Sequence, residues 1–117
     1  MTIERSGSLP FMHRAVKHNG TLYLGGVTAS DFSADIAGQT REMLGKVEAL
    51  LDQNGSSKRH MLTALIFLSN MADKDGMNGI WGEWLDVADM PGRATVGVAD
   101  LGKDCLIEIS VTAALRA

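Results

Sequence analysis

The chain has a single cysteine, Cys105, and so cannot build an internal disulfide framework. Its two prolines, Pro10 and Pro91, lie outside every periodic segment, which leaves long stretches free to form regular structure. Long apolar runs are missing as well. Residues 62–68 are typical of the longest, and they are far too short to cross a bilayer. An excess of basic residues is also lacking: the formal net charge is −3, which gives no general pull toward nucleic acid or an anionic membrane surface. The first six residues, Met-Thr-Ile-Glu-Arg-Ser, contain no basic segment followed by an apolar stretch. No secretory leader is read there, and a cytoplasmic location is expected. No internal repeat, charge block or low-complexity stretch interrupts the chain. At 117 residues, 45% of them hydrophobic, it suits one soluble domain over residues 1–117 with one core.

What the chain does contain is periodicity. Residues 2–5 read as a short strand. Residues 15–18 and 21–26 flank Asn19-Gly20, a dipeptide whose positions accept positive φ, and so predict a hairpin. Residues 28–33 read as a polar loop. From about Asp35, Ile36, Thr40, Met43, Leu44, Val47 and Leu51 recur at helical steps, with Gln39, Arg41, Glu42, Lys46 and Glu48 opposite. Asn54-Gly55 closes that helix. Residues 61–68 are almost continuously apolar, which predicts a strand covered on both faces. A second helix is predicted over residues 74–85, with Met77, Ile80, Trp81, Trp84 and Leu85 as its apolar stripe. Gly76, Gly79 and Gly82 within it suggest close approach of a neighbouring backbone. Residues 90–98 and 104–113 read as two neighbouring strands.

This order of elements predicts an α+β domain with two helices packed on one face of a mixed sheet. A chain of this length has nothing left to cover the other face, so self-association is expected.

Two residues stand out chemically. Arg93 opens the first of the two final strands, and its planar donor fork matches a carboxylate. The alternative is a salt bridge, with Glu108 itself as a candidate partner. Glu108 is the lone carboxylate in a strand of Ile107, Ile109 and Val111. It belongs to a face with Leu106, Ser110 and Thr112 that is either simply wetter or able to place a water. His13 is either a surface histidine or a proton carrier, while His18 and His60 read as solvent-facing. The three histidines share no ligand-like spacing and Cys105 has no companion, so no metal site is expected. Cys105 itself reads as a small strand residue, and Trp81 and Trp84 as core. Lys58-Arg59-His60 is too small a basic patch to indicate RNA binding. Gly25-Gly26 marks either a bulge or a close approach of ligand or backbone.

Several of these fragments in order resemble the reactive intermediate deaminase (Rid, YjgF-like) family. They are Gln39-Thr40 near a helix start, Asn54-Gly55 after it, Met77-Asn78, Pro91-Gly92-Arg93 and Ile107-Glu108-Ile109. The match spans nearly the whole chain. The resemblance implies a chorismate-mutase-like fold and a homotrimer with a central barrel, helices outside and ligand clefts between subunits. It further implies hydrolysis of 2-imino acids and their enamine tautomers to 2-keto acids and ammonia, without metal or organic cofactor. Arg93 would bind the substrate carboxylate, Glu108 would activate water, and Asn78 would support the site. Backbone groups near Gly25 and Thr95 would shape the pocket. Family serine and glutamine positions fall here on Gly25 and Val27, a tyrosine on Met12, and a frequent cysteine on Thr95. A non-catalytic binder of 2-keto or related carboxylic acids, using the same Arg93 cleft, is the alternative.

Overall fold

The computed structural model describes residues 2–116. Its sheet contains β1 (Glu4–Ser8), β2 (His13–His18), β3 (Thr21–Leu24), β4 (Val27–Thr28), β5 (Met61–Leu68), β6 (Gly92–Gly97) and β7 (Ile107–Ala114). Two helices, α1 (Ile36–Gln53) and α2 (Lys74–Trp84), interrupt the strands. Across the sheet the order is β1-β2-β3-β7-β5-β6, with β4 also paired to β7. Only β5 and β6 run parallel; the other pairs are antiparallel. The mixed sheet and its two helices are those the periodicity predicts.

The hairpin forms at the expected place. Asn19 and Gly20 adopt φ of 53° and 77°, and His18 pairs with Thr21 across the turn. The expected first strand starts two residues later and runs to Ser8, because its partner β2 extends back to His13. Helix α1 begins at Asp35, whose carboxylate accepts from Gly38 N at 2.9 Å. It ends at Asn54, where Gly55 at φ 81° turns the chain and Ser56 N donates to Leu51 O at 2.9 Å.

Strand β7 shows how the two faces differ. Ile107, Ile109, Val111 and Ala113 are buried under the helices, while Glu108, Ser110 and Thr112 point to the other side. Leu22, Met43, Leu44, Leu51, Ile66, Leu68 and Met77 complete the core on the helix side. Each such fully buried side chain contributes on the order of 1.5–3 kcal/mol. No helix among the described residues is long and apolar enough to cross a membrane.

Four expectations are corrected. Strand β5 is covered on one face only: Ala64, Ile66 and Leu68 are buried, whereas Leu65 is 37% exposed on the side no helix reaches. Strands β6 and β7 are not neighbours, because β5 pairs with both and lies between them. Gln39, assigned to the solvent face of α1, is completely buried. Its amide nitrogen donates to Ala34 O and Asp104 O, each at 3.0 Å, and its oxygen accepts from Leu106 N at 2.9 Å. It therefore clamps the loop before β7 to the start of α1. Finally, of the three glycines in α2 only Gly76 packs closely, and against a side chain: a Cβ there would stand 2.9 Å from Ile36 Cγ2. Gly79 and Gly82 face open space.

Candidate functional site

Arg93 lies on the helix-covered side at the edge of the sheet. It pairs with Ala64 of β5, which pairs in turn with Val111 of β7, and both of those are buried under the helices. Side chains paired in register share a face, so Arg93 and, two residues on, Thr95 turn toward α2. The guanidinium carbon sits over the Trp81 ring, 5.2 Å from its centroid. Arg93 Nη1 also approaches Met77 Sδ at 3.7 Å. Met77 and Trp81 are one helical turn apart, so α2 offers both from one face. Among the described residues no carboxylate pairs with Arg93. The salt bridge with Glu108 does not form. Partial burial lowers the Arg93 pKa from its usual value, yet an arginine stays protonated at neutral pH.

Two further polar atoms on these elements lack partners. Asn78 Oδ1 in α2 and Thr95 Oγ1 in β6 are buried without a hydrogen bond. A buried unpaired polar atom costs about 1–3 kcal/mol. The structure thus keeps a cation and two polar groups unsatisfied on adjoining elements, α2 and β6.

Glu108 is built differently. It is half-buried on the side away from the helices, opposite Phe67 of β5 and Thr28 of β4. Its carboxylate rests against Gly26, where any Cβ would collide with Oε2. Gly25 does the same for Met12, whose methyl group takes the place a side chain would need. Tyr23 pairs with Thr112 and Val27 with Ile109, so the β3–β4 edge carries one residue more than β7. Gly25-Gly26 is therefore a bulge, and what approaches it closely is mainly side chain, Met12 at Gly25 and Glu108 at Gly26, with backbone only at Gly25, where His13 O would stand 3.1 Å from a Cβ. Among the described residues Glu108 has no ion-pair partner. A cleft of about 240 Å³ adjoins this region, lined by Met12, Arg14, Gly25, Gly26, Thr28 and Lys46 among others. Lys46 is already committed to Thr28 O at 3.0 Å and to Glu42 at 3.6 Å.

The candidate residues thus fall into two groups. Arg93 and Thr95 lie on β6 facing α2, the helix that carries Asn78; Glu108, Gly25 and Met12 gather at the β3–β4 break. The sheet separates the two groups, so one copy of the chain does not present Arg93 and Glu108 to the same small ligand. The two strands are consecutive in the chain, which suggests neighbours, and no local signal shows that β5 lies between them. Trp81 and Met77 likewise read from the sequence as core alone. Their one-turn spacing was visible, but nothing local pointed to Arg93, twelve residues or more away.

The remaining candidates are ordinary. His60 shares a 2.6 Å hydrogen bond with Ser57 Oγ, and His18 Nδ1 lies 3.4 Å from Thr2 O. His13 is half-buried at the start of β2. Lys58 donates to Trp84 O at 2.8 Å, and Arg59 reaches Asp89 at 3.8 Å. Cys105 is buried just before β7, where burial chiefly pushes its thiol pKa up, the opposite of an activated nucleophile.

Comparison with known proteins places this geometry. The family model described as Endoribonuclease L-PSP matches residues 4–115. The RutC family protein YoaB of Escherichia coli (strain K12) is 35% identical over 115 residues, 98% of this chain and 100% of that protein. A RutC family protein of Haemophilus influenzae is 38% identical over 97 residues, 82% of this chain and 84% of that one. Among solved structures, NMB1025 of Neisseria meningitidis, a member of the YjgF protein family, superposes with a TM-score of 0.95 at 33% identity. That superposition covers 100% of this chain and 98% of the other.

Proposed function

We propose, from the premise that this chain belongs to the endoribonuclease L-PSP (Rid, YjgF-like) family, that copies assemble as a homotrimer and hydrolyse small 2-imino acids in the clefts between them. Arg93 of one copy binds the substrate carboxylate through its free donor fork. Glu108 of a neighbouring copy removes a proton from a water that attacks the imine carbon. That proton passes to nitrogen to give the neutral carbinolamine; Glu108 then takes the hydroxyl proton and delivers it to nitrogen as the C–N bond breaks, so that ammonia leaves and the 2-keto acid remains. Asn78 and Thr95 line the Arg93 side, while Gly25, Gly26 and Met12 line the Glu108 side. No metal or organic cofactor takes part.

The observation that carries this reading is the pair of unpartnered charges on opposite faces of one sheet. A half-buried arginine without a counter-ion suits a ligand anion, and a carboxylate pressed on glycine with no cation suits a water. Exposed Leu65, Val96 and Tyr23 on the open face favour assembly. A nuclease reading would need a basic track for phosphates. Here Lys58 and Arg59 are engaged by Glu48 and Asp89 in a chain of net charge −3.

One observation favours the second reading, a non-catalytic binder of 2-keto acids. Around Glu108 the break offers two glycines and a thioether, with no hydroxyl or amide at Gly25 or Met12 to help the reaction.

The test is decay of a freshly generated imino acid in the presence of wild type, Arg93→Ala, Glu108→Gln, and trimers reassembled from the two variants mixed equally. Acceleration by wild type and losses of about 100-fold in each variant are expected. If each cleft draws on two copies, mixing restores about one quarter of the wild-type rate, since half the copies supply each residue. Mixed trimers as inactive as their parents would exclude a shared site. A wild type without activity that still binds a 2-keto acid through Arg93 would establish the binder. Sedimentation of wild type as a monomer would remove the intersubunit cleft altogether.

A further inference from the structure

The proposed carboxylate clamp raises a physical question: what holds Arg93 in place if nothing neutralises it? A long cationic side chain with no partner samples many rotamers, and ordering it on binding costs affinity. The two tryptophans of α2 supply a comparison. Their rings lie 5.8 Å apart, tilted by 54°, and each carries a cation. Lys58 Nζ lies 5.5 Å from the Trp84 centroid, and Arg93 lies 5.2 Å from that of Trp81.

The two cations are otherwise opposite. Lys58 is fully committed, donating to Trp84 O at 2.8 Å and lying 3.8 Å from Glu48. Arg93 has the aromatic face and the Met77 sulfur, a weak acceptor, and among the described residues its other N–H groups have no acceptor. An aromatic face attracts a guanidinium without occupying its donor edge, which an internal carboxylate would block. The platform is itself fixed. Trp81 is buried, it packs on Trp84, and Trp84 Nε1 donates to Glu48 of α1 at 2.8 Å.

We propose that Trp81 is the positioning residue for Arg93: its ring pre-orders the guanidinium over α2 while leaving the fork free for the ligand carboxylate. This inference rests on the reading of Arg93 as the carboxylate clamp. It distinguishes Trp81 from the surrounding core, whose loss would lower stability without acting on affinity for one chemical group. Trp84 buttresses Trp81 and does not act on the ligand directly.

The experiment compares wild type, Trp81→Phe and Trp81→Leu as assembled protein, measuring KM and kcat for imine decay and the Kd for pyruvate. Trp81→Leu is expected to weaken pyruvate and raise KM roughly tenfold while kcat changes little, and Trp81→Phe, which keeps a π face, to recover most of the affinity. Equal Kd and KM in wild type and Trp81→Leu would overturn the proposal and return Trp81 to the core. Should Trp81→Leu not fold, Trp84→Phe isolates the emission of Trp81. Pyruvate is then expected to shift that emission in the Arg93 protein and not in Arg93→Ala, and an unshifted emission on saturation overturns it. Failure of the clamp itself reads differently: wild type and Arg93→Ala would bind pyruvate equally.

Discussion

Two regions of this molecule treat polar groups in opposite ways. On the helix-covered face, far from the edge, Gln39 is completely buried and every part of its amide is used. At the β6 edge of that same face, Arg93, Asn78 Oδ1 and Thr95 Oγ1 are left without conventional partners. On the open face Glu108 is held by an absence, the missing side chain of Gly26. A buried polar group is not in itself a sign of function. Gln39 is satisfied and structural, and Thr40 Oγ1 beside it is buried without a partner, so Asn78 and Thr95 are set apart by lying on the elements that meet at Arg93 rather than by lacking a partner.

Gln39→Ala is the largest effect this comparison predicts. It removes three hydrogen bonds and strands Leu106 N and two carbonyls, for a loss of about 2–4 kcal/mol measured by urea unfolding. A change under about 0.5 kcal/mol would show that the clamp between α1 and β7 is dispensable. Gly26→Ala sharpens the contrast on the open face. The new methyl displaces the Glu108 carboxylate, whose flexible end can move, so stability shifts little. Turnover of the imino acid is expected to fall at least tenfold, about 1.4 kcal/mol of barrier. Unchanged turnover would mean that the seat on Gly26 does not position the base. Smallest, and of opposite sign, is Thr95→Val. Replacing an unpaired hydroxyl by a methyl group is expected to raise stability by about 0.5–1 kcal/mol while weakening ligand. A destabilised variant would mean that the hydroxyl is satisfied after all, and Thr95 would join Gln39 among the structural residues.

Much of this was legible in the residues. Asn19-Gly20, the Asp35 and Asn54-Gly55 ends of α1, and the alternation along β7 are local signals, and each element forms where its signal lies. The candidate residues stood out too: the arginine after Pro91-Gly92 and the lone carboxylate of β7 both lack an ion pair among the described residues. Gln39 was misplaced because it sits one position from the apolar stripe, and its partners at Asp104 and Leu106 are remote in sequence. The three glycines of α2 looked alike in sequence, yet only Gly76 meets a neighbour. A glycine records a missing side chain, not what fills the space.

The local elements, the alternation of faces along β7 and the family were readable from the residues alone. Those depend on backbone preference and on periods of two and 3.6 residues, which are properties of neighbouring positions. The position of β5 between β6 and β7, the opposite faces of Arg93 and Glu108, and the seat of Arg93 on Trp81 come from the assembled fold. These outcomes depend on strand order and on the docking of α2 across the sheet. They are set by contacts between residues far apart in the chain, where no local pattern has reach.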